Sequence, residues 1–152
     1  MSVEINIQKS LKENQTNIQQ YRLIDLPKIT DPRGNLTFIE ANRHIPFEIK
    51  RVFYLYDVPI GEERAGHAHR ELQQFVVAIS GSFDVKINDG YQEKKYHMNC
   101  SHYGLYFGSM IWCKIENFSL GAVCMVLASD FYDESDYYRN YKDFIKAIKD
   151  RS

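Results

Sequence analysis

The sequence predicts an all-β fold of the barrel or jelly-roll type that ends in one α-helix. Two observations carry this prediction. From residue 21 to residue 128, short segments rich in Val, Ile, Phe and Tyr alternate with turn residues, and many short strands at this spacing are typical of β-sandwiches and barrels. After Asp130 the apolar residues recur at helical intervals instead, which indicates a terminal helix.

A series of segments is predicted as strands because each combines β-branched or aromatic residues with flanking turn residues. The breaks between these segments are expected at residues 31–34, 59–61, 80–81, 88–90 and 118–119. The predicted strands are, in order, YRLIDL, NLTFIEA, FEIKRVFYLYDV, LQQFVVAIS, SFDVKIN, QEKKYHM, GLYFG, MIWCKIENF and AVCMVLAS.

The last segment is predicted as a helix over about residues 134–149. Asp133 or Ser135 is placed to cap its start, and Lys and Arg gather towards its end, where they suit the helix dipole. One apolar stripe runs along it and consists of Tyr137, Tyr141, Phe144, Ile145 and Ile148.

Length and composition predict a single globular domain. The chain has 152 residues, of which 44% are hydrophobic and 14% aromatic, enough for one core. Residues 1–20 are rich in Gln, Asn and Lys and lack an apolar face, so we expect a partly ordered N-terminal arm there. Residues 21–152 are expected to form the domain.

Charge and cysteine content argue against several classes of protein. The 19 basic and 20 acidic residues leave a net charge of −1, which does not suit nucleic-acid binding. Three cysteines give no disulfide framework. No stretch resembles a membrane span or a secretory signal. We expect a soluble, cytoplasmic protein without nucleic-acid or membrane partners.

The run GEERAGHAH, residues 61–69, contains the most informative pair of side chains. Residues two apart in a strand point to the same side. His67 and His69 are therefore expected to project together while Ala68 faces away. Such a pair can bind a metal or transfer protons, or it can be packed and hydrogen-bonded with only a structural role.

All-β chains with the pattern Gly-x5-His-x-His resemble the cupin superfamily, whose two motifs supply a Glu and a further His as metal ligands. Here the spacing places Gln74 and Cys113 at those positions. Two histidines, a carboxamide and a thiol suit a hard metal poorly, although His97 or His102 could complete a zinc site with Cys113. We favour acid–base chemistry over metal binding.

Three arginines are candidates for binding a phosphorylated ligand. Arg33 belongs to a tight turn and Arg51 to a predicted strand, and Arg64 precedes the histidine pair in the same segment. Guanidinium groups bind phosphates through bidentate, charge-assisted hydrogen bonds, so this set suits a nucleotide diphosphate. Tyr106 is a further candidate, as a hydrogen-bond donor to a sugar.

Several segments together are similar to those of the dTDP-sugar 3,4-ketoisomerases, over about residues 21–144. The resemblance implies a cupin fold and conversion of dTDP-4-keto-6-deoxyglucose to a dTDP-3-keto-6-deoxyhexose. An aminotransferase then forms a 3-amino-3,6-dideoxyhexose for glycans such as lipopolysaccharide or S-layer glycan. The segments are DPRGNLTFIE, IPFEIKRVFYLYDVP, GHAHRELQQ, GSFDVKINDG and VLASDFYDESDYYRNYKDF.

The same resemblance implies roles for individual residues. His67 and His69 match the catalytic pair, no metal or other cofactor is used, and the enzyme is a domain-swapped homodimer. Similarity to the related dTDP-sugar 3,5-epimerases implies that Arg33 and Arg64 hold the diphosphate. The chain departs from the ketoisomerase pattern at Cys113, where a His usually follows the Trp.

The expected mechanism passes through an enediolate. A C4 ketone acidifies the proton on C3, and a neutral imidazole is a suitable base near neutral pH. We expect His67 to take this proton and either His67 or His69 to return one to C4. His69 could instead orient or polarise the sugar oxygens.

Three other functions remain open from the sequence. A 3,5-epimerase starts with the same proton removal but needs a second acid on the opposite face of the sugar. A metal-dependent cupin oxygenase needs better ligands than Gln74 and Cys113. A non-catalytic nucleotide-sugar sensor would bind dTDP through the arginines without solvent exchange at C3.

Overall fold

A computed structural model describes residues 20–151 of the protein, which fold mostly as β-strands. One α-helix, Tyr141–Asp150, follows the strands, and the prediction of an all-β fold with a C-terminal helix is confirmed. The strands are β1 (Tyr21–Asp25), β2 (Lys28–Asp31), β3 (Gly34–Thr37), β4 (Arg51–Leu55), β5 (Arg64–His69), β6 (Gln74–Ser80), β7 (Phe83–Asn88), β8 (Glu93–Met98), β9 (Tyr103–Phe107), β10 (Trp112–Glu116), β11 (Val123–Ala128) and β12 (Tyr137–Tyr138).

The strands form two five-stranded antiparallel sheets and one hairpin. The first sheet has the order β1-β9-β6-β11-β4 and the second has the order β12-β5-β10-β7-β8. In the described part of the chain, β2 pairs with β3 alone. Within residues 20–151 no ladder of hydrogen bonds joins the two large sheets. The architecture is therefore a pair of facing sheets, and the closed barrel among the predictions is not formed.

The main core lies between the two sheets. In β6, for example, Val76 and Ala78 face this core, whereas Phe75 and Val77 face the other side of the sheet. This alternation is the period of two that a strand imposes. Burial of such side chains contributes about 25 cal/mol per Å² of apolar surface. The other core residues include Phe83, Val85, Ile87, Met98, Leu105, Ile115 and Val126.

Other segments cover part of each sheet's outer face. On the first sheet, the loop between β3 and β4 buries Ile45 and Phe47 against Phe75. On the second sheet, the helix buries Phe144 against Ala68. The residue between the two histidines therefore faces the helix.

The C-terminal helix begins later than predicted. The helix expected at residues 134–149 starts at Tyr141, because the Asn140 side chain accepts hydrogen bonds from two N–H groups of the first turn. The preceding residues form the 3-10 turn Glu134–Asp136, which Asp133 caps, and then β12. Since β12 pairs with β5, this segment is bound to the edge of the second sheet.

The N-terminal half also differs in detail from the prediction. The segments NLTFIEA and FEIKRVFYLYDV contribute only β3 and β4, because the residues between these strands form the covering loop. The predicted turn at residues 31–34 joins β2 to β3. The predicted arm, residues 1–20, lies outside the described residues except for Gln20. Among residues 20–151, no helix has the length and apolar character needed to cross a membrane.

Candidate active site

A β-bulge in β5 brings Arg64 and His67 to the same side of the strand. In the pairing of β5 with β10, the register passes from Ala65 directly to His67, so Gly66 has no partner. Ala65 and Gly66 both have positive φ, 65° and 80°. Residues three apart in a regular strand face opposite sides, but the extra residue shifts the phase. As a result, Arg64 lines the same cavity as His67.

Beyond the bulge, β5 alternates regularly. The ring centroids of His67 and His69 are 5.0 Å apart, and the ring planes are nearly perpendicular, at 89°. Ala68, between them, is fully buried against the helix. The prediction that the two imidazoles project together is confirmed by this geometry.

A carboxylate from a distant part of the chain holds His69. The imidazole Nδ1 lies 3.0 Å from Oδ2 of Asp136. The same carboxylate accepts hydrogen bonds from the backbone N–H groups of Glu71, at 2.9 Å, and Leu72, at 3.3 Å. Because an ionised carboxylate can only accept, the imidazole of His69 has a defined orientation.

Residues 129–139, which we call the strap, run from the end of β11 across the histidine pair. The ring centroid of Tyr137 lies 4.9 Å from that of His67 and 4.2 Å from that of His69. The guanidinium of Arg139 lies over the Tyr137 ring, 4.2 Å from its centroid, and pairs with a glutamate of the strap. One aromatic ring therefore contacts both imidazoles, and a cation–π contact holds that ring.

Two cavities adjoin the histidine pair. The inner cavity has a volume of about 180 Å³, and His67 and Arg64 line it. The strap cavity has a volume of about 170 Å³ and contains His69. Arg51 and Tyr137 line both cavities. A ligand in either cavity would therefore be within reach of a guanidinium group.

Burial favours the neutral form of both imidazoles. The pKa of His67 is lowered from 6.5 to about 4. Desolvation is the main cause, and the positive charges of the nearby His69 and Arg139 add to it. Burial also lowers the pKa of His69, although its hydrogen bond to Asp136 opposes this change. Near neutral pH the site therefore contains two imidazoles in the form that accepts a proton.

Two buried polar atoms beside the cavities have no partner among the described residues. They are Nε of Arg51 and Nε2 of His69. Unpaired polar atoms are uncommon in protein interiors. The Nε of an arginine can only donate a hydrogen bond, whereas an imidazole nitrogen donates or accepts according to the tautomer.

Two predicted site residues lie away from the histidine pair. Arg33 is in the turn of the β2–β3 hairpin, where its side chain is 91% exposed and pairs with Asp31 at 2.7 Å. Tyr106, on β9, faces the outer side of the first sheet, and its hydroxyl donates to Oε1 of Gln73 at 2.7 Å. The predicted residues that the structure does bring together are His67, His69, Arg51 and Arg64.

The residues at the two altered metal-ligand positions both line the inner cavity with His67. Gln74 is 6% exposed and Cys113 is 4% exposed. Burial raises the pKa of the Cys113 thiol to about 12. The side chain opposite the histidine is therefore a neutral thiol.

The other two histidines considered as metal ligands lie elsewhere. His97 is paired with Asp84, at 2.7 Å, and His102 with Cys100, at 2.9 Å. Within residues 20–151, no group of three or more His, Cys, Asp or Glu side chains is arranged to hold a metal ion.

The sequence pattern did not identify two residues that contact the histidine pair. Tyr137 fits the predicted helix stripe, and Asp136 lies inside the predicted helix. The available signal was Asn140, a preferred N-cap residue placed shortly before Phe144. A helix starting there would have left residues 129–139 free to form the strap.

Comparisons with known proteins identify the family of this chain. Residues 19–149 match the family described as "FdtA: WxcM-like, C-terminal". A relative from Aneurinibacillus thermoaerophilus, named TDP-4-oxo-6-deoxy-alpha-D-glucose-3,4-oxoisomerase, is 44% identical over 127 residues, which cover 84% of this chain and 91% of the relative. The chain belongs to the FdtA family.

Solved structures of similar sequence share the fold of this FdtA-family protein. A mutant of the 3,4-ketoisomerase QdtA from Thermoanaerobacterium thermosaccharolyticum, in complex with TDP-4-keto-6-deoxyglucose, matches with a TM-score of 0.85 and 38% identity, covering 87% of this chain and 96% of QdtA. WlaRB, a TDP-quinovose 3,4-ketoisomerase from Campylobacter jejuni, matches with a TM-score of 0.80 and 44% identity, covering 83% of this chain and 97% of WlaRB.

Proposed function

We propose that this FdtA-family protein is a sugar-nucleotide 3,4-ketoisomerase that converts dTDP-4-keto-6-deoxyglucose to a dTDP-3-keto-6-deoxyhexose. The observation that carries the proposal is the pair of neutral imidazoles, His67 and His69, beside cavities that share Arg51. The relative and the two solved structures are all named as 3,4-ketoisomerases or 3,4-oxoisomerases. They support this reaction over 3,5-epimerisation and over a non-catalytic sensor.

The reaction consists of two proton transfers. C3 loses a hydrogen and C4 gains one, and the hydroxyl hydrogen on O3 moves to O4, while the carbonyl changes position. The electrons move only within the sugar, so the reaction requires no redox cofactor. One base must act at carbon and another group must carry the oxygen-bound proton. Two imidazoles with centroids 5.0 Å apart suit this division.

His67 removes the C3 proton in this scheme, and the ring then protonates C4 after its hydrogen has exchanged with solvent. Its lowered pKa, about 4, keeps the imidazole unprotonated near neutral pH. The C4 ketone acidifies the C3 proton, and negative charge then develops on the enediolate oxygens. Arg51 lines both cavities and has a buried N–H that no group of residues 20–151 accepts. Its guanidinium stabilises that charge.

Arg64 binds the diphosphate in the proposed complex. It begins β5, where its side chain is exposed to solvent and also lines the inner cavity. A diphosphate keeps part of its hydration, and a guanidinium at such an opening binds it through charge-assisted hydrogen bonds. We assign Arg33 the same role, from the neighbouring subunit of a homodimer.

The β2–β3 hairpin supports this homodimer. All of β2 and most of β3 are exposed, and an isolated two-stranded hairpin is marginally stable at best. Ile29 and Leu36 on the hairpin are each 56% exposed. Strand β4 is an edge of the first sheet, and its Val52 and Tyr54 are also exposed. A hairpin exchanged onto that edge would cover both apolar surfaces and lie beside the strand that carries Arg51.

The product has a C3 ketone, which is the group that an aminotransferase needs to form a 3-amino-3,6-dideoxyhexose. We therefore place the enzyme before such an aminotransferase, in the supply of sugars for surface glycans such as lipopolysaccharide or S-layer glycan. We place the reaction in the cytoplasm, in agreement with the three free cysteines, because reducing compartments keep thiols free.

Proton NMR of dTDP-4-keto-6-deoxyglucose incubated with the protein in D2O tests the function. We expect the carbonyl to move to C3 and deuterium to appear at C4. A parallel reaction in H2O gives the coupling between H4 and H5, which reports the configuration at C4. Exchange at C3 and C5 without carbonyl migration would mean an epimerase. Binding of dTDP without any exchange would mean a sensor.

A further inference from the structure

The carboxylate of Asp136 contacts His69 in a way that selects one form of the imidazole. Oδ2 of Asp136 lies 3.0 Å from Nδ1. A carboxylate only accepts hydrogen bonds, so Nδ1 carries the hydrogen and Nε2 of the neutral ring carries a lone pair. His69 is 5% exposed, and its Nε2 makes no hydrogen bond within residues 20–151.

We propose that Asp136 is a positioning residue, which holds His69 in the tautomer whose basic Nε2 faces the ligand. The proposal deepens the proposed isomerase function and rests on it. Asp136 does not itself touch the reacting atoms. It acts through His69, and its place in the strap makes the tautomer depend on a segment that joins the first sheet to the C-terminal helix.

This arrangement supplies the second proton transfer of the isomerisation. Nε2 of His69 accepts the hydroxyl proton from O3 as the C3–O3 bond becomes a carbonyl. The imidazolium formed in this step is stabilised by the carboxylate of Asp136, and Nε2 then gives the same proton to O4. One proton leaves O3 and one arrives at O4, so the ring is neutral again at the end of the cycle.

The backbone around Asp136 explains why an amide cannot replace the carboxylate. Oδ1 of Asp136 accepts the N–H of Glu71 at 2.9 Å, and Oδ2 accepts the N–H of Leu72 at the longer distance of 3.3 Å. In Asp136→Asn, the amide oxygen is expected to keep the shorter bond to Glu71. The amide nitrogen then faces Nδ1 of His69 and donates to it, which moves the ring hydrogen to Nε2.

Nitrogen-15 NMR of the histidine rings tests the tautomer directly, without substrate. The His69 signals are assigned by their loss in His69→Gln. In the wild-type protein we expect a protonated Nδ1 and an unprotonated Nε2, and in Asp136→Asn the reverse. Kinetics of the same variant should show kcat reduced by about 10²–10⁴-fold, the usual range for loss of a proton-transfer group, with KM changed far less.

Asp133→Ala is the matched control, because Asp133 caps the 3-10 turn of the strap without contacting His69. It should lower the melting temperature and leave the tautomer unchanged. A protonated Nε2 in the wild-type protein, or a full kcat in Asp136→Asn, would overturn the proposal. If the wild-type protein does not isomerise the sugar, the proposed function fails, whereas the tautomer measurement still tests the role of Asp136.

Discussion

Cys113 of β10 lies directly opposite His67 of β5 in the antiparallel pairing of the second sheet. Opposed residues of such a pair share one face, with Cβ atoms roughly 4.5–5.5 Å apart. The thiol is buried, and burial raises its pKa to about 12. A neutral thiol therefore lies opposite His67, and in the proposed mechanism the proton transfers fall to His67 and His69.

Replacing this thiol is expected to change stability and not proton transfer. Cys113→Ala should lower the free energy of unfolding by about 1 kcal/mol, because a buried side chain is truncated. The shape of the pH–rate profile should stay that of the wild-type protein, as the thiol does not ionise near neutral pH. Chemical denaturation and steady-state kinetics measure the two effects. A displaced acid limb in Cys113→Ala would instead show that the thiol takes part in proton transfer.

His67→Asn should abolish most of the turnover while leaving the fold intact. Loss of a general base typically lowers kcat by about 10²–10⁴-fold, and the asparagine still fits the inner cavity. The measurement is the rate of carbonyl migration, with the melting temperature and dTDP affinity as checks on folding. The matched control is His97→Asn, since His97 pairs with Asp84 on the outer side of the second sheet. Near-normal turnover in His67→Asn would contradict the assigned role.

The pH dependence of kcat/KM should lack a loss of activity centred at 6.5. The free-enzyme pKa of His67 is lowered to about 4, so the base stays unprotonated until the pH approaches that value, and kcat/KM should fall only below roughly pH 5. A fall centred near 6.5 would mean that the base has an unperturbed pKa.

The same pKa shift has a consequence for stability. Between the unfolded pKa of 6.5 and the folded value of about 4, the unfolded chain binds more protons than the folded one. The contribution of His67 is therefore fully present above 6.5 and is lost as the pH falls through this window. Unfolding measured at each pH separates this loss of stability from the loss of catalysis.

Mixed dimers test whether Arg33 acts in the neighbouring subunit. Arg33→Ala and His67→Asn should each be inactive alone. If the hairpin is exchanged, unfolding and refolding them together creates heterodimers in which one of two sites has both native residues. Random association then restores about a quarter of wild-type activity. No recovery in dimers verified by light scattering would show that Arg33 does not serve the partner's site.

Gly66→Ala tests the β-bulge. Gly66 has a φ of +80°, and a Cβ there meets no atom within 4 Å. The substitution should therefore cost about 1–2 kcal/mol from backbone strain alone. It should also lower kcat, because the bulge places the side chains of Arg64 and His67 on the same side of β5. Gly61→Ala is the matched control, with a φ of +89° and equally open surroundings, and it should lower stability without a comparable loss of kcat.

The sequence pattern predicted the features that depend on local periodicity. The alternation of His67, Ala68 and His69 needs only the period of a strand, and the helical spacing around Phe144 identified the terminal helix. The same local reasoning placed the start of the helix too early, because Tyr137 fits a helical stripe as well as it fits β12.

Local periodicity in the sequence does not reveal contacts between residues that are far apart in the chain. Asp136 reaches His69 across 67 positions of sequence, and no local pattern specifies that pairing. Arg64 shares a cavity with His67 only because Gly66 is left out of the register, a detail set by two strands together. Tyr106 was expected near the sugar, but the alternation of β9 turns it to the other face, where it bonds to Gln73.

The packing of Ala68 restricts how the His-x-His motif can vary. Its side chain is fully buried against Phe144 of the terminal helix, so a larger residue at this position would need a smaller one in the helix. In an alignment of homologues, positions 68 and 144 should therefore change together. A motif search that allows any residue between the two histidines would therefore accept chains in which the terminal helix cannot pack against β5.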